Sequence, residues 1–217
     1  MDNQPNAINP AEIRCVVFDF GFTLSSDLYF SLVPPECPRW REIIQQRVFA
    51  EPQIVRRWME GRMTIADIAR LLAQSMAMDP SLIVSTMERG CEHMRMNPAV
   101  WDFALEQKSR GKKTALVTAN MDVFTKVVVP VHQLDQVFDV IVNSFDYRDL
   151  HKEHLWPIAF QRLGGEVHYG NSLLIEDGET EPARFRRLGG RAYQYSTDEL
   201  FLNWLQAIRW DQAIGTA

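Results

Sequence analysis

Four short stretches carry residue types that suit one chemistry. Asp19 ends an apolar run, Cys15-Val16-Val17-Phe18, and is followed by Gly21 and Thr23. Leu116-Val117-Thr118-Ala119-Asn120 ends a second run in a hydroxyl. Leu174-Ile175-Glu176-Asp177 ends another in two acids, with Glu181 four residues beyond Asp177. Between these last two lies Lys152. A carboxylate can attack phosphorus, a hydroxyl and a lysine can hold phosphate oxygens, and a second carboxylate can anchor Mg²⁺ against the repulsion between two anions. The set therefore suits phosphoryl transfer, provided the fold brings the stretches together.

The pattern around them supplies such a fold. Apolar runs predict strands at about 14–20, 114–118, 137–144, 172–176 and 192–195. Helical periodicity fills the gaps at 98–111, 121–132, 153–163, 181–188 and 197–208. Alternating strands and helices imply a Rossmann-like parallel sheet with helices on both faces. In such sheets ligands bind beyond the carboxyl ends of the strands. Residues 25–97 break the alternation with helices only, at 38–49, 52–60, 64–78 and from Asp79-Pro80 onward. Thr64 with Asp67 forms a capping-box pattern, and Asp79-Pro80 and Asn97-Pro98 read as N-caps followed by a first-turn proline. The expectation is an α/β core of residues 1–24 and 98–217, with a small all-helical cap, 25–97, hung over the strand ends as a lid.

Composition narrows the partners. A net charge of −5 without a basic run disfavours nucleic acid and anionic membrane. No apolar stretch approaches the ~20 residues that span a bilayer, and the first residues lack the pattern of a signal peptide, so a cytoplasmic location is expected. Cys15, Cys37 and Cys91 have no zinc-type spacing and read as reduced thiols. Nothing in the pattern sets the oligomeric state.

With these motifs in order, the chain resembles the haloacid dehalogenase-like (HAD) hydrolase superfamily over about residues 13–208. Asp19-Phe20-Gly21-Phe22-Thr23 is similar to its first motif, Thr118 to its second, Lys152 to its third, and Glu176-Asp177 with Glu181 to its fourth. The resemblance implies catalytic roles for Asp19 as nucleophile, Thr118 and Lys152. It implies substrate binding by Thr118, Ala119, Asn120 and Lys152. Mg²⁺ would sit on the Asp19 carboxylate, the Gly21 carbonyl and Asp177. The substrate would be a small phosphorylated metabolite, hydrolysed through an aspartyl-phosphate.

One departure matters. The family's phosphatases carry an acid two residues after the nucleophile, which protonates the leaving oxygen, and here that residue is Gly21. General acid–base help is worth ~10²–10⁴-fold. The alternatives are a phosphatase of reduced activity, a HAD-fold binding or regulatory protein, and a 2-haloacid dehalogenase, whose halide leaves without a proton. The intact Glu176-Asp177 pair argues against the last. His93 is a candidate replacement acid, and His151 and His154 read as a surface pair beside Lys152. Arg39 and Arg41 are candidates to grip an anion, while Trp40, Trp58, Met76, Met78, Met94 and Met96 read as packing residues.

Overall fold

The computed structural model describes residues 8–210. Five parallel strands form one sheet in the order β3-β2-β1-β4-β5: Cys15–Phe18 (β1), Lys113–Thr118 (β2), Val140–Asn143 (β3), Ser172–Glu176 (β4) and Arg191–Gln194 (β5). β1 is central because it is the most apolar. All four of its residues are buried, as suits a strand covered on both faces.

The two-residue period of a strand separates the two cores. Val16 and Phe18 face one side, with Leu116, Leu173 and Ile175, and meet Val100, Phe103 and Phe201 from helices Pro98–Ser109 and Asp198–Ala207. Cys15 and Val17 face the other, where helices Lys152–Leu163 and Thr180–Arg187 bring Leu155, Trp156, Phe160 and Phe185. Trp156, Phe160, Tyr169 and Phe185 pack there largely edge to face, with the Trp156 and Phe185 centroids 4.9 Å apart.

Between β1 and β2 run only helices: Trp40–Ile44, continued by a wider π turn at Gln45–Phe49, then Pro52–Met59, Ile65–Met76 and Pro80–Glu92. Their starts follow local chemistry. Thr64 and Asp67 form both halves of the capping box, and Asp79 accepts the Ser81 N–H at 2.8 Å. Trp40 and Trp58 are fully buried, Met76 and Met94 nearly so, and Met78 and Met96 pack on the same cluster. That cluster is continuous with the first face of the sheet, so these helices share a core with the strands.

Three boundaries differ from expectation. The apolar stretch 137–144 is not one strand: Val137 closes a turn, Leu134–Val137, and Ser144 opens another, Ser144–Tyr147. Asp139 interrupts the run, and apolar residues alone do not distinguish a strand from the buried turns that flank it. The expected helix at 121–132 is partly a π turn, Phe124–Val128, leading into Val129–Val131. Asn97 does not cap its helix. Its side chain instead donates to Thr23 O at 2.6 Å and accepts from Ser26 Oγ at 3.0 Å, which ties the outgoing end of the helical segment to the incoming one.

Candidate active site

The sheet register makes the site. Phe18 stands opposite Leu116 on one side and Ile175 on the other. Asp19, Thr118 and Glu176 therefore emerge at one edge, with Asp177 next along the chain. The Asp19 N–H continues the ladder by donating to Ile175 O at 3.1 Å, so the nucleophile candidate starts from a fixed backbone. Just beyond, Phe22 N donates to Ser25 O at 2.7 Å and Ser25 N to Phe20 O at 2.9 Å. This tight flap presents Gly21 and Phe22 over the strand ends.

Lys152 arrives from the other direction as the first residue of its helix. The preceding turn holds Arg148 at φ 57°, and Asp149 accepts the His151 N–H at 2.9 Å. Lys152 Nζ donates to Glu176 Oε2 at 2.6 Å and lies 2.9 Å from Asp19 Oδ1, without forming an aligned hydrogen bond to the latter. All three side chains are buried. Burial opposes the lysine's charge, but the two carboxylates outweigh it and hold its pKa above the ordinary range. Burial and then the Asp19 charge push Glu176 up, and the same two causes raise Asp177. Thr23 Oγ1 donates to Asp177 Oδ1 at 3.3 Å.

A divalent cation fits these residues. Carboxylate oxygens of Asp19, Glu176 and Asp177 lie within 4.8 Å of one another. Three acids around one lysine leave two formal negative charges in excess, the charge of one Mg²⁺, and oxygen donors are what Mg²⁺ prefers.

Above lies a cavity of about 760 Å³, within the range of small-molecule sites. Asp19, Gly21, Thr118, Ala119, Asn120 and Asp177 form its polar end. Thr118 and Asn120 are buried, and Asn120 N–H donates to Asn143 Oδ1 at 3.1 Å and Ser144 Oγ at 3.0 Å, so the turn after β2 is fastened to the end of β3.

No protein-family model matches the sequence, and no curated protein matches it. Solved structures do. A HAD-family enzyme from Bacteroides thetaiotaomicron, in complex with magnesium and inorganic phosphate, superposes with a TM-score of 0.64 at 14% identity, over 85% of this chain and 95% of that one. A predicted HAD-like family hydrolase from Porphyromonas gingivalis gives 0.63 at 15% identity, over 91% and 97%. L-2-haloacid dehalogenase from Xanthobacter autotrophicus gives 0.59 at 16% identity, over 92% and 87%. The chain has the HAD-like fold. At such identities the likeness carries the fold alone, and the neighbours' different chemistries leave the reaction to the site itself.

Within this HAD-like fold every residue expected at the site lies at one end of the sheet: Asp19, Gly21, Thr118, Ala119, Asn120, Lys152 and Asp177. Other candidates lie elsewhere. Glu181 pairs with Arg184 at 3.2 Å, outside the acidic cluster. His93 is exposed, with Nδ1 2.7 Å from Arg89 O, and does not line the cavity. His151 and His154 are exposed and both contact Asp149, at 3.0 and 2.7 Å. Arg39 pairs with Glu42 away from the cavity. Arg41 does line it, tied to Ser31 O through Nε at 3.0 Å and Nη2 at 2.8 Å. The sequence reading missed Phe22, Tyr29, Phe30 and Phe49 as cavity residues. Only Phe22, inside the first motif, carried a positional signal.

Among the described residues, no helix is long and apolar enough to cross a membrane, and the three cysteines are free and buried.

Proposed function

We propose that the protein is a Mg²⁺-dependent phosphatase that hydrolyses a small phosphate monoester through an aspartyl-phosphate on Asp19. The observation that carries this reading is Lys152 Nζ held between Asp19 and Glu176, with Asp177 completing a three-carboxylate cluster at the cavity floor. An ordinary buried ion pair would need one acid. A lysine with three acids at an open cavity suits a site that receives a dication and a dianionic group.

In this reading Asp19 attacks phosphorus, and Lys152, 2.9 Å from its Oδ1, offsets charge on the nucleophile and on the phosphoryl oxygens. Thr118 and the Ala119 N–H bind those oxygens, while the Asn120 N–H, given to Asn143 and Ser144, fastens the turn that presents them. Asp19, the Gly21 carbonyl and Asp177 would hold Mg²⁺, which supplies charge neutralisation for an anion attacking an anion. Water then releases phosphate and restores the carboxylate. Gly21 offers a backbone ligand but no proton.

The test is turnover of an activated aryl phosphate by wild type and Asp19→Asn, with Mg²⁺ and with EDTA. Mg²⁺-dependent turnover lost in Asp19→Asn is the expected result. No wild-type turnover above the variant across a broad phosphate panel overturns it in favour of a binding protein. Halide release from 2-haloacids in EDTA would replace it with the dehalogenase reaction.

A further inference from the structure

The cavity supplies almost no protons. Among the described residues, its lining contains no His, Cys, Glu or Lys. Its acids are Asp19 and Asp177, already assigned to attack and metal, and Asp27. The last is held ionised by Arg95, whose Nη2 and Nε lie 2.9 and 3.1 Å from its two oxygens, and its pKa is lowered accordingly. A leaving oxygen here meets no carboxylic acid or imidazolium.

Both arginines of these walls are already engaged. Arg95 is spent on Asp27 and Arg41 on Ser31 O. Phe22, Phe30, Phe49, Met59, Met94 and Met121 dominate the remaining surface. Phe30 stacks on Trp58, with centroids 5.7 Å apart and planes 7° apart, so that wall is rigid. Phe22 is the most telling. It is 57% exposed and sits at φ 54°, a strained value for an aromatic residue, held there by the flap hydrogen bonds. A protein gains no stability from an exposed ring on strained backbone, and such strain concentrates at functional sites. Polar groups interrupt this wall: Ser26, whose Oγ donates to Asn97 Oδ1 at 3.0 Å, Ser31 and Gln45, and the buried Tyr29 hydroxyl beside Asn120. A buried tyrosine hydroxyl at a cavity wall can donate to an oxygen placed against it.

We infer that the substrate is the phosphate monoester of an uncharged phenol, whose ring lies against Phe22, Phe30 and Phe49 and whose bridging oxygen accepts a hydrogen bond from Tyr29. This rests on the phosphatase reading above. The missing acid and the aromatic wall then have one explanation. A phenol has a pKa of ~10, about six units below the ~15.7 of water that an alkyl alcohol resembles. When the Asp19 oxygen–phosphorus bond forms, the bond from phosphorus to the aryl oxygen breaks. The phenolate departs with the electron pair, hydrogen-bonded to Tyr29, and takes its proton from solvent afterwards. Water then cleaves the aspartyl-phosphate to inorganic phosphate and free carboxylate.

Two measurements test this. The first compares kcat/KM of the Mg²⁺-loaded full chain for substituted phenyl phosphates with that for glycerol and hexose monophosphates. We expect at least ~100-fold preference for phenyl phosphate over the alkyl esters, in line with the worth of the absent acid, and rates that fall as the phenol's pKa rises. Alkyl esters turned over within about threefold of phenyl phosphate would overturn the inference. The second needs no turnover. Calorimetry compares benzylphosphonate with a hydroxyalkyl phosphonate, in wild type and Phe22→Gly. Glycine is at ease at positive φ, so Phe22→Gly keeps or raises the melting temperature while removing the ring. At least tenfold tighter binding of benzylphosphonate, reduced severalfold in Phe22→Gly, is expected. Equal affinities sink the ligand class whatever the turnover. Preference for benzylphosphonate in a chain without turnover keeps the ligand class and removes the enzyme.

Discussion

The Trp58 indole donates to Asp122 Oδ1 at 2.7 Å, across 64 residues of sequence. Asp122 follows the turn after β2, and Trp58 lies in the helical segment. The same carboxylate accepts the Ile65 N–H, at 3.1 and 3.2 Å from its two oxygens, and pairs with Lys126 at 3.0 Å, while being wholly buried. On the same side Ser144 Oγ donates to Met59 O at 2.9 Å. With Asn97 bound to Thr23 and Ser26, the helical segment is fastened to the sheet at both its linkers and its far side. Asp122→Ala would orphan a buried indole N–H and a helix N-terminus, at a cost of about 3–5 kcal/mol. For a chain of this size that is roughly a 10 °C fall in Tm. Thermal and urea unfolding of the variant check it, and a loss under ~1 kcal/mol would mean the latch is ornamental.

Gly21→Asp should raise turnover. A Cβ built on Gly21 meets no atom within 4 Å, and its φ is not in the left-handed region, so the new side chain enters without strain. It adds an acid two residues after Asp19, at the cavity end where the leaving oxygen departs. The gain should be about 10–100-fold for alkyl phosphates, within the range for general acid catalysis, and smaller for aryl esters, which need no proton. Parallel kcat/KM measurements on both ester types check the asymmetry. A folded variant with unchanged rates on both would count against the role assigned to position 21.

The strand ends were legible because they are local: an apolar run stopping at Asp19, Thr118 or Glu176 carries its own signal, and a parallel sheet must align such ends. Lys152 was legible by elimination, being the only lysine after Lys126. What the sequence hid is what long-range packing creates. The cavity draws Phe22, Tyr29, Phe49, Met94 and Met121 from separate segments with no shared period. Asp122 looks like any acid opening a helical turn until Trp58 is seen beside it. Glu176 and Glu181 have equal standing as letters, yet only Glu176 stays on the strand and meets Lys152, while Glu181 is carried into the next helix, toward Arg184.

Lys152→Met should separate charge from packing. The methionine fills similar space but leaves the Asp19, Glu176 and Asp177 carboxylates without their cation. Turnover should fall at least ~100-fold, since a preorganised charge at a transition state is typically worth that much. Stability should fall as well, and more in EDTA than in millimolar Mg²⁺, because a bound dication replaces part of the lost charge. Melting curves of wild type and variant with and without Mg²⁺ test this. Equal melting shifts in both media would argue that no metal binds among these acids.

Burial pushes the Cys15 and Cys91 thiols up to about 12. Both side chains are fully buried, so solvent screening does little to soften the effect. The folded chain therefore holds protons that the unfolded chain releases near the ordinary thiol value of ~8.5. A raised folded pKa contributes stability that is fully present below the unfolded value and lost as pH climbs toward the folded one. Each thiol should make the unfolding free energy decline by about 1.4 kcal/mol per pH unit across that window. Cys91→Ala removes one such group, so its stability should decline with a correspondingly shallower slope between about pH 9 and 11, although its stability at pH 7 is lower for the lost packing. Urea titrations at several pH values give both slopes. Parallel slopes would mean that the Cys91 thiol ionises in the folded chain as it does in the unfolded one.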